Sequence, residues 1–140
     1  MKRTKTLAAA SAVAVIGVVA GAGPAVALQR NCSSSARMCL HYNTVGNGMN
    51  AEFGSDYNVP SFNPSVTSDD IYFKAGTKGS AGAGQWVWNN AASLRNLHPF
   101  VRVGVFVDSS YGGAVDIADP GETRNLGVTK NNNASMGWGW

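Results

Sequence analysis

The sequence predicts an all-β domain, and three observations carry that prediction. Short runs of β-branched and aromatic residues recur between Gly- and Asn-rich turns. No twelve-residue window keeps the 3.6-residue period of an amphipathic helix. The 140 residues include 17 Gly and 4 Trp with only 14% charged residues, which suits neither a disordered chain nor a coiled coil. Many short strands joined by such turns point to a β-sandwich or a small barrel.

The chain opens on a segment with the pattern of a leader. Lys2, Arg3 and Lys5 precede an uncharged, mostly apolar run from Leu7 to Ala20, and Ala25-Val26-Ala27 follows Pro24. A basic start, a short apolar run and an A-x-A site form a secretory signal peptide over 1–27, with cleavage expected between Ala27 and Leu28. The apolar run is short for a bilayer span, so a secreted, extracellular product without a membrane partner is expected. Its removal leaves eight basic and eight acidic residues in 28–140. These basic residues are scattered, whereas phosphate binding needs them clustered, so nucleic acid is excluded as a main partner.

The expected elements then follow in order. Cys32 and Cys39 lie in the exported part, where oxidising conditions favour a disulfide; a zinc site would need two further ligands at unsuitable spacing. Met38–Tyr42 is an apolar, aromatic strand ended by a turn with Asn47-Gly48 at its tip. Residues 55–70 carry Pro60 and Pro64 and read as a long loop, and 76–84 is glycine-rich linker chemistry; together they form a loop-rich insertion around 55–84. Ile71–Phe73 and Gln85–Trp88 are short β-type runs. Val101–Val107 is the best strand, rich in β-branched residues and alternating, and Ala114–Ala118 alternates again after Gly112-Gly113.

The chain also repeats itself. Leu40–Gly48 lies over Val105–Gly113, with a strand end, an Asn or Asp, a Thr or Ser and a closing Gly in common. Downstream, Asn89-Asn90-Ala91-Ala92-Ser93 matches Asn131-Asn132-Asn133-Ala134-Ser135, 42 residues apart. The interval from turn to motif is 41 residues in the first half and 18 in the second, so the first half carries about 23 extra residues.

These residues resemble the βγ-crystallin Greek key. Phe106, Tyr111 and Gly113 fit its turn pattern fully, whereas His41 and Gly46 stand at the aromatic positions of the first repeat and only Gly48 fits there. With the cysteine pair before the first strand, the chain resembles peptidase inhibitor family I36, an actinobacterial branch related to the Streptomyces metalloproteinase inhibitor. The resemblance implies one βγ-crystallin-like double Greek-key β-sandwich over 28–140. It implies a secreted peptidase inhibitor that blocks the cleft of an extracellular (metallo)protease with a rigid surface loop. Two departures stand out: Leu94 and Met136 replace the family's second Ser, and there is no second cysteine pair to shape a reactive loop.

The family's calcium motif, carried over, assigns Asn90, the Ala91 carbonyl and Ser93, with Asn132, the Asn133 carbonyl and Ser135, to weak Ca²⁺ sites. No other cofactor is implied. The alternative is that these Asn and Ser hydrogen-bond their own turns. No G-x-S-x-G or H-E-x-x-H string is present, and Asp69-Asp70 reads as a solvated pair, so an enzyme is not expected. For inhibition, the loop held by the cysteines presents Arg37-Met38, with Arg37 suited to an acidic specificity pocket; the 108–113 turn is a second candidate. The alternative function is a non-inhibitory extracellular module binding calcium or a carbohydrate of the cell wall. Trp86/Trp88 and Trp138/Trp140 could each form a sugar platform, since i and i+2 share a strand face. A monomer is expected.

Overall fold

The structure is a computed structural model that describes residues 31–32, 36–67 and 71–140. The signal peptide with its Ala27–Leu28 cleavage site, Ser33–Ser35 and Asp69-Asp70 lie outside the described residues. Among the described residues, seven strands form two antiparallel sheets: β1 (Met38–His41), β2 (Glu52–Ser55), β3 (Ser93–Asn96), β4 (Val103–Asp108), β5 (Gly112–Ala118), β6 (Thr123–Asn125) and β7 (Ser135–Trp138). The first sheet has the order β2-β1-β3-β6 and the second β5-β4-β7.

Alternation decides which face is buried between the sheets. In β4, Val103 and Val105 are fully buried and point inward; in β1, Met38 and Leu40 do the same. They meet Phe53, Leu94, Met136 and Ala118 in one core, the contact that drives two amphipathic sheets together. The expected sandwich is therefore the observed one.

Strand order shows two interlocked keys. β6 follows β5 in the chain but pairs with β3 of the other half. The counterpart in the first half is the segment around Val59. Val59 exchanges backbone bonds with Met136 in β7, at 2.7 and 3.0 Å. Phe62 N–H donates to the Ala134 carbonyl at 2.8 Å, and Leu126 N–H donates to the Ala92 carbonyl at 3.0 Å. Each key thus lends its third element to the other key's sheet.

That placement corrects the expected insertion around 55–84. Val59 and Phe62 are buried and belong to the sandwich, so the extra chain begins after them. The excursion is not loose. Ile71, Phe73 and Val87 are buried against the core, although Ile71–Phe73 and Gln85–Trp88 pair only through a single bridge at Tyr72 and Trp86 instead of a ladder. The glycine-rich stretch folds back on itself through two Gly76–Gly79 backbone bonds of 3.1 and 3.2 Å and lies flat on the first sheet. Gly76 rests on Glu52 and Gly82 on the Tyr42 ring, where a Cβ would collide. Glycine is used here for close approach instead of for mobility.

Candidate functional site

The repeat seen in the sequence is a structural pseudo-twofold, and its bonds are reciprocal. Ser93 Oγ–H donates to the Asn43 carbonyl at 2.7 Å, and Ser135 Oγ–H donates to the Asp108 carbonyl at 2.7 Å. Each motif serine clamps the turn that leaves the first strand of its own key. Ser135 Oγ also accepts the Tyr111 N–H at 3.1 Å. Across the pseudo-axis, Asn89 N–H donates to the Asn133 carbonyl at 3.0 Å and Asn131 N–H donates to the Ala91 carbonyl at 2.8 Å. Asn89 and Asn131 both hold left-handed backbone, with φ of 58° and 52°, a conformation that Asn tolerates better than most residues. Asn133 adds an asymmetric bond set: its Oδ1 accepts Ala91 N–H at 3.0 Å and its Nδ2 donates to the Val87 carbonyl at 2.8 Å.

These engagements bear on calcium. Ser93 and Ser135 spend their protons within the fold, and the Ala91 and Asn133 carbonyls accept backbone N–H groups. Asn90 gives its Nδ2 to the Trp86 and Trp88 carbonyls at 3.0 and 3.2 Å. Asn132 is exposed. Among the described residues no three His, Cys, Asp or Glu side chains gather into a metal-binding group. A hard dication favours several oxygen ligands with carboxylates among them; this donor set carries no carboxylate, and what it leaves open to a cation is the Asn90 Oδ1 and the lone pairs of the Ser93 hydroxyl and the two carbonyls.

Beside the first motif lies an open cavity of about 350 Å³. The β1–β2 turn forms one wall with Tyr42, Asn43, Thr44 and Asn47, and Asn89, Asn90, Ala92, Lys130 and Asn131 form the other.

The cysteine loop sits at the other end of β1. Cys32 and Cys39 are joined as a disulfide and pack with Ala36 and Leu97 in a small core of their own. Arg37 is exposed, but Met38 is fully buried in β1. Of the two residues assigned to the inhibitory loop, only Arg37 can therefore meet a partner without dismantling the sheet. Arg37 N–H donates to Asp56 Oδ1 at 3.2 Å, its carbonyl accepts Leu97 N–H at 2.8 Å, and its guanidinium lies 3.4 Å from His98 Nε2.

The tryptophan pairs separate. Trp88 and Trp138 pack on the core, while Trp86 stacks on Tyr72 with ring centres 4.1 Å apart. Gly139, at φ 94°, turns Trp140 to the outer side of the second sheet, against Phe106 at 4.9 Å and Tyr111 at 5.8 Å. The Trp138/Trp140 pair does not present two rings on one face, because Gly139 breaks the extended run that i, i+2 spacing needs; Trp88 is half-buried against the core and Trp86 against Tyr72.

One group escaped the motif-based reading. His41 is 1% exposed, and neither ring nitrogen has a hydrogen-bond partner among the described residues. Burial, then the nearby Arg95 and Lys78 charges, lower its pKa to about 4 and outweigh the nearby Asn50 backbone, which raises it without reaching hydrogen-bond geometry. The signal was present in the repeat: His41 stands where the second key has Phe106.

No protein-family model and no curated protein matches the chain. A solved structure from work on the evolution of the eye lens βγ-crystallin domain fold is similar to it with a TM-score of 0.52 at 13% identity, over 79% of this chain and 94% of that one. Together with the exchanged third elements and the paired serine clamps, this gives the chain a βγ-crystallin-type double Greek-key fold.

Proposed function

We propose that the chain is a secreted inhibitor of extracellular peptidases, with Arg37 as the side chain that enters the enzyme. The presentation of Arg37 carries the reading. Its neighbours Ala36 and Met38 are buried, the disulfide closes the segment around it, and its own N–H and carbonyl are both held within the fold. A backbone that is already fixed adds little ordering cost on docking, and a guanidinium suits an acidic specificity pocket. The same bonds hold the Arg37 main chain within the fold, which opposes its cleavage. Export is supported by the leader pattern and the disulfide, which persists in oxidising compartments. The family resemblance favours metalloproteases and the Arg37 chemistry favours a trypsin-like pocket.

The test is titration of the purified protein against a thermolysin-type metalloprotease, a subtilisin and a trypsin. Stoichiometric inhibition of one of them, lost in Arg37→Ala at unchanged melting temperature, supports the reading. No inhibition of any by folded protein, or equal inhibition by Arg37→Ala, overturns it. A second reading, a non-inhibitory extracellular binding module, is favoured by the cavity beyond the other end of β1.

A further inference from the structure

We propose that the cavity between the β1–β2 turn and the two asparagine motifs binds an acidic saccharide, a hydroxyl-rich ring carrying one carboxylate, with Lys130 as its counter-ion. The proposal gives the binding-module reading a site and a ligand class, and it does not depend on Arg37, which lies before the opposite end of β1.

The volume of about 350 Å³ stands at the lower end of small-molecule sites, about 300–1,000 Å³, and so favours one or two rings over an extended ligand. The chemistry of the lining narrows the class. The side chains of Asn43, Asn47, Asn89 and Asn131, and the Thr44 hydroxyl, make no hydrogen bond to another described residue. A carboxamide offers donors and an acceptor side by side, the pattern that a pair of neighbouring ring hydroxyls returns. Asn90 spends its Nδ2 on two carbonyls and so keeps Oδ1 as an acceptor.

The charge narrows it further. No carboxylate lines the cavity, and Lys130 has no ion pair among the described residues. A single unpaired ammonium among neutral amides attracts an anion and repels a dication. The cation is not a requirement of the fold, because the position equivalent to Lys130 across the pseudo-twofold is Trp88, which packs on the core.

The walls are held before any ligand arrives. Asn89 and Asn131 keep left-handed backbone through their reciprocal bonds across the axis, and Tyr42 is fixed edge-on to Phe73 at 5.8 Å. Strained backbone of this kind costs stability and persists where the surroundings fix it. A preformed site reduces the ordering cost of binding a weak, polar ligand.

The experiment is calorimetric titration of the purified protein with glucuronic acid, N-acetylmuramic acid, glucose and acetate, and with CaCl₂ in a separate run. The expected result is binding of an acidic sugar at least about fivefold tighter than of glucose, the size of one exposed ion pair, with acetate alone not bound. Preference for N-acetylmuramic acid would assign a wall source and preference for glucuronic acid a uronic-acid polymer. Lys130→Ala, at an exposed position, should remove the preference for acid over neutral sugar, and Asn47→Ala should weaken both. Binding of no sugar at ten-millimolar concentration, equal binding of glucose and glucuronic acid, or an unchanged preference in Lys130→Ala overturns the proposal. So does Ca²⁺ binding that Asn47→Ala abolishes while no sugar binds. None of these outcomes bears on protease inhibition, which is read separately.

Discussion

Replacing His41 by Phe should flatten the acid limb of the stability curve. The imidazole is 1% exposed and its ring nitrogens are unpartnered. Burial is the largest cause of its lowered pKa, about 4 against 6.5 in an unfolded chain, with Arg95 and Lys78 adding repulsion. Between those two values the unfolded chain binds the proton and the native chain does not. The contribution to stability is therefore full above about pH 6.5 and is lost as the pH falls toward 4. For that shift the loss between about pH 7.5 and about pH 4.5 is about 2–3 kcal/mol from this group alone. Phe is the residue that the second key uses at the equivalent position, Phe106, and it removes both the titration and two unsatisfied polar atoms. Urea unfolding of both proteins across that range measures the difference, and the slopes of other titrating groups cancel. The wild type should lose about 2–3 kcal/mol more than His41→Phe; His41→Leu, closer in volume, should behave as the Phe variant does. Parallel pH curves for all three proteins would refute the reasoning, because a solvated or hydrogen-bonded imidazole is what gives no difference.

Three further outcomes are expected. Ser135→Ala removes two hydrogen bonds and Ser93→Ala one, so both should destabilise by about 1–3 kcal/mol in chemical denaturation, with Ser135→Ala the more costly. Gly113→Ala forces a side chain onto φ 72° and sets its Cβ 2.6 Å from Asp108 Oδ2, whereas Gly121→Ala, at φ 77°, meets open space. Gly121→Ala should cost about 1 kcal/mol and Gly113→Ala clearly more, as read from thermal melts. Reducing the Cys32–Cys39 bond should lower stability by about 2 kcal/mol and weaken any inhibition that depends on Arg37, which titration with and without a reducing agent would show.

The sandwich was legible because β4 and β5 alternate in hydrophobicity and because the two halves repeat. The clamps were half legible: the Asn-Asn-x-Ala-Ser strings were found, but the sequence left open whether Ser93 and Ser135 face a cation or their own turns. Three strands carried no signal. β2 buries Glu52 and Ser55, β3 begins with Ser93 and ends with Asn96, and β6 is three polar residues. Their pairing is set by neighbours, so local propensity could not reveal it. Asn96 shows the same effect: fully buried, it gives its Nδ2 to the carbonyls of Val101, Ala118 and Asp119 at 2.9–3.1 Å, a role visible only once those strands are side by side. The cavity was hidden for a related reason. In the sequence its asparagines belong to separate motifs and turns and Lys130 is one scattered charge; only the fold sets them around one hollow.

The exchange of third elements has a consequence for how the molecule comes apart. A half-molecule ending near Leu97 would leave the β3 edge without β6, and Val59 and Phe62 without β7 to receive them. Neither half owns a finished sheet, so the two should melt in a single cooperative step. Cutting the link between them at 97–102 should not release the pieces. They are clasped, and that link is also where a chain at high concentration would trade halves with a second copy.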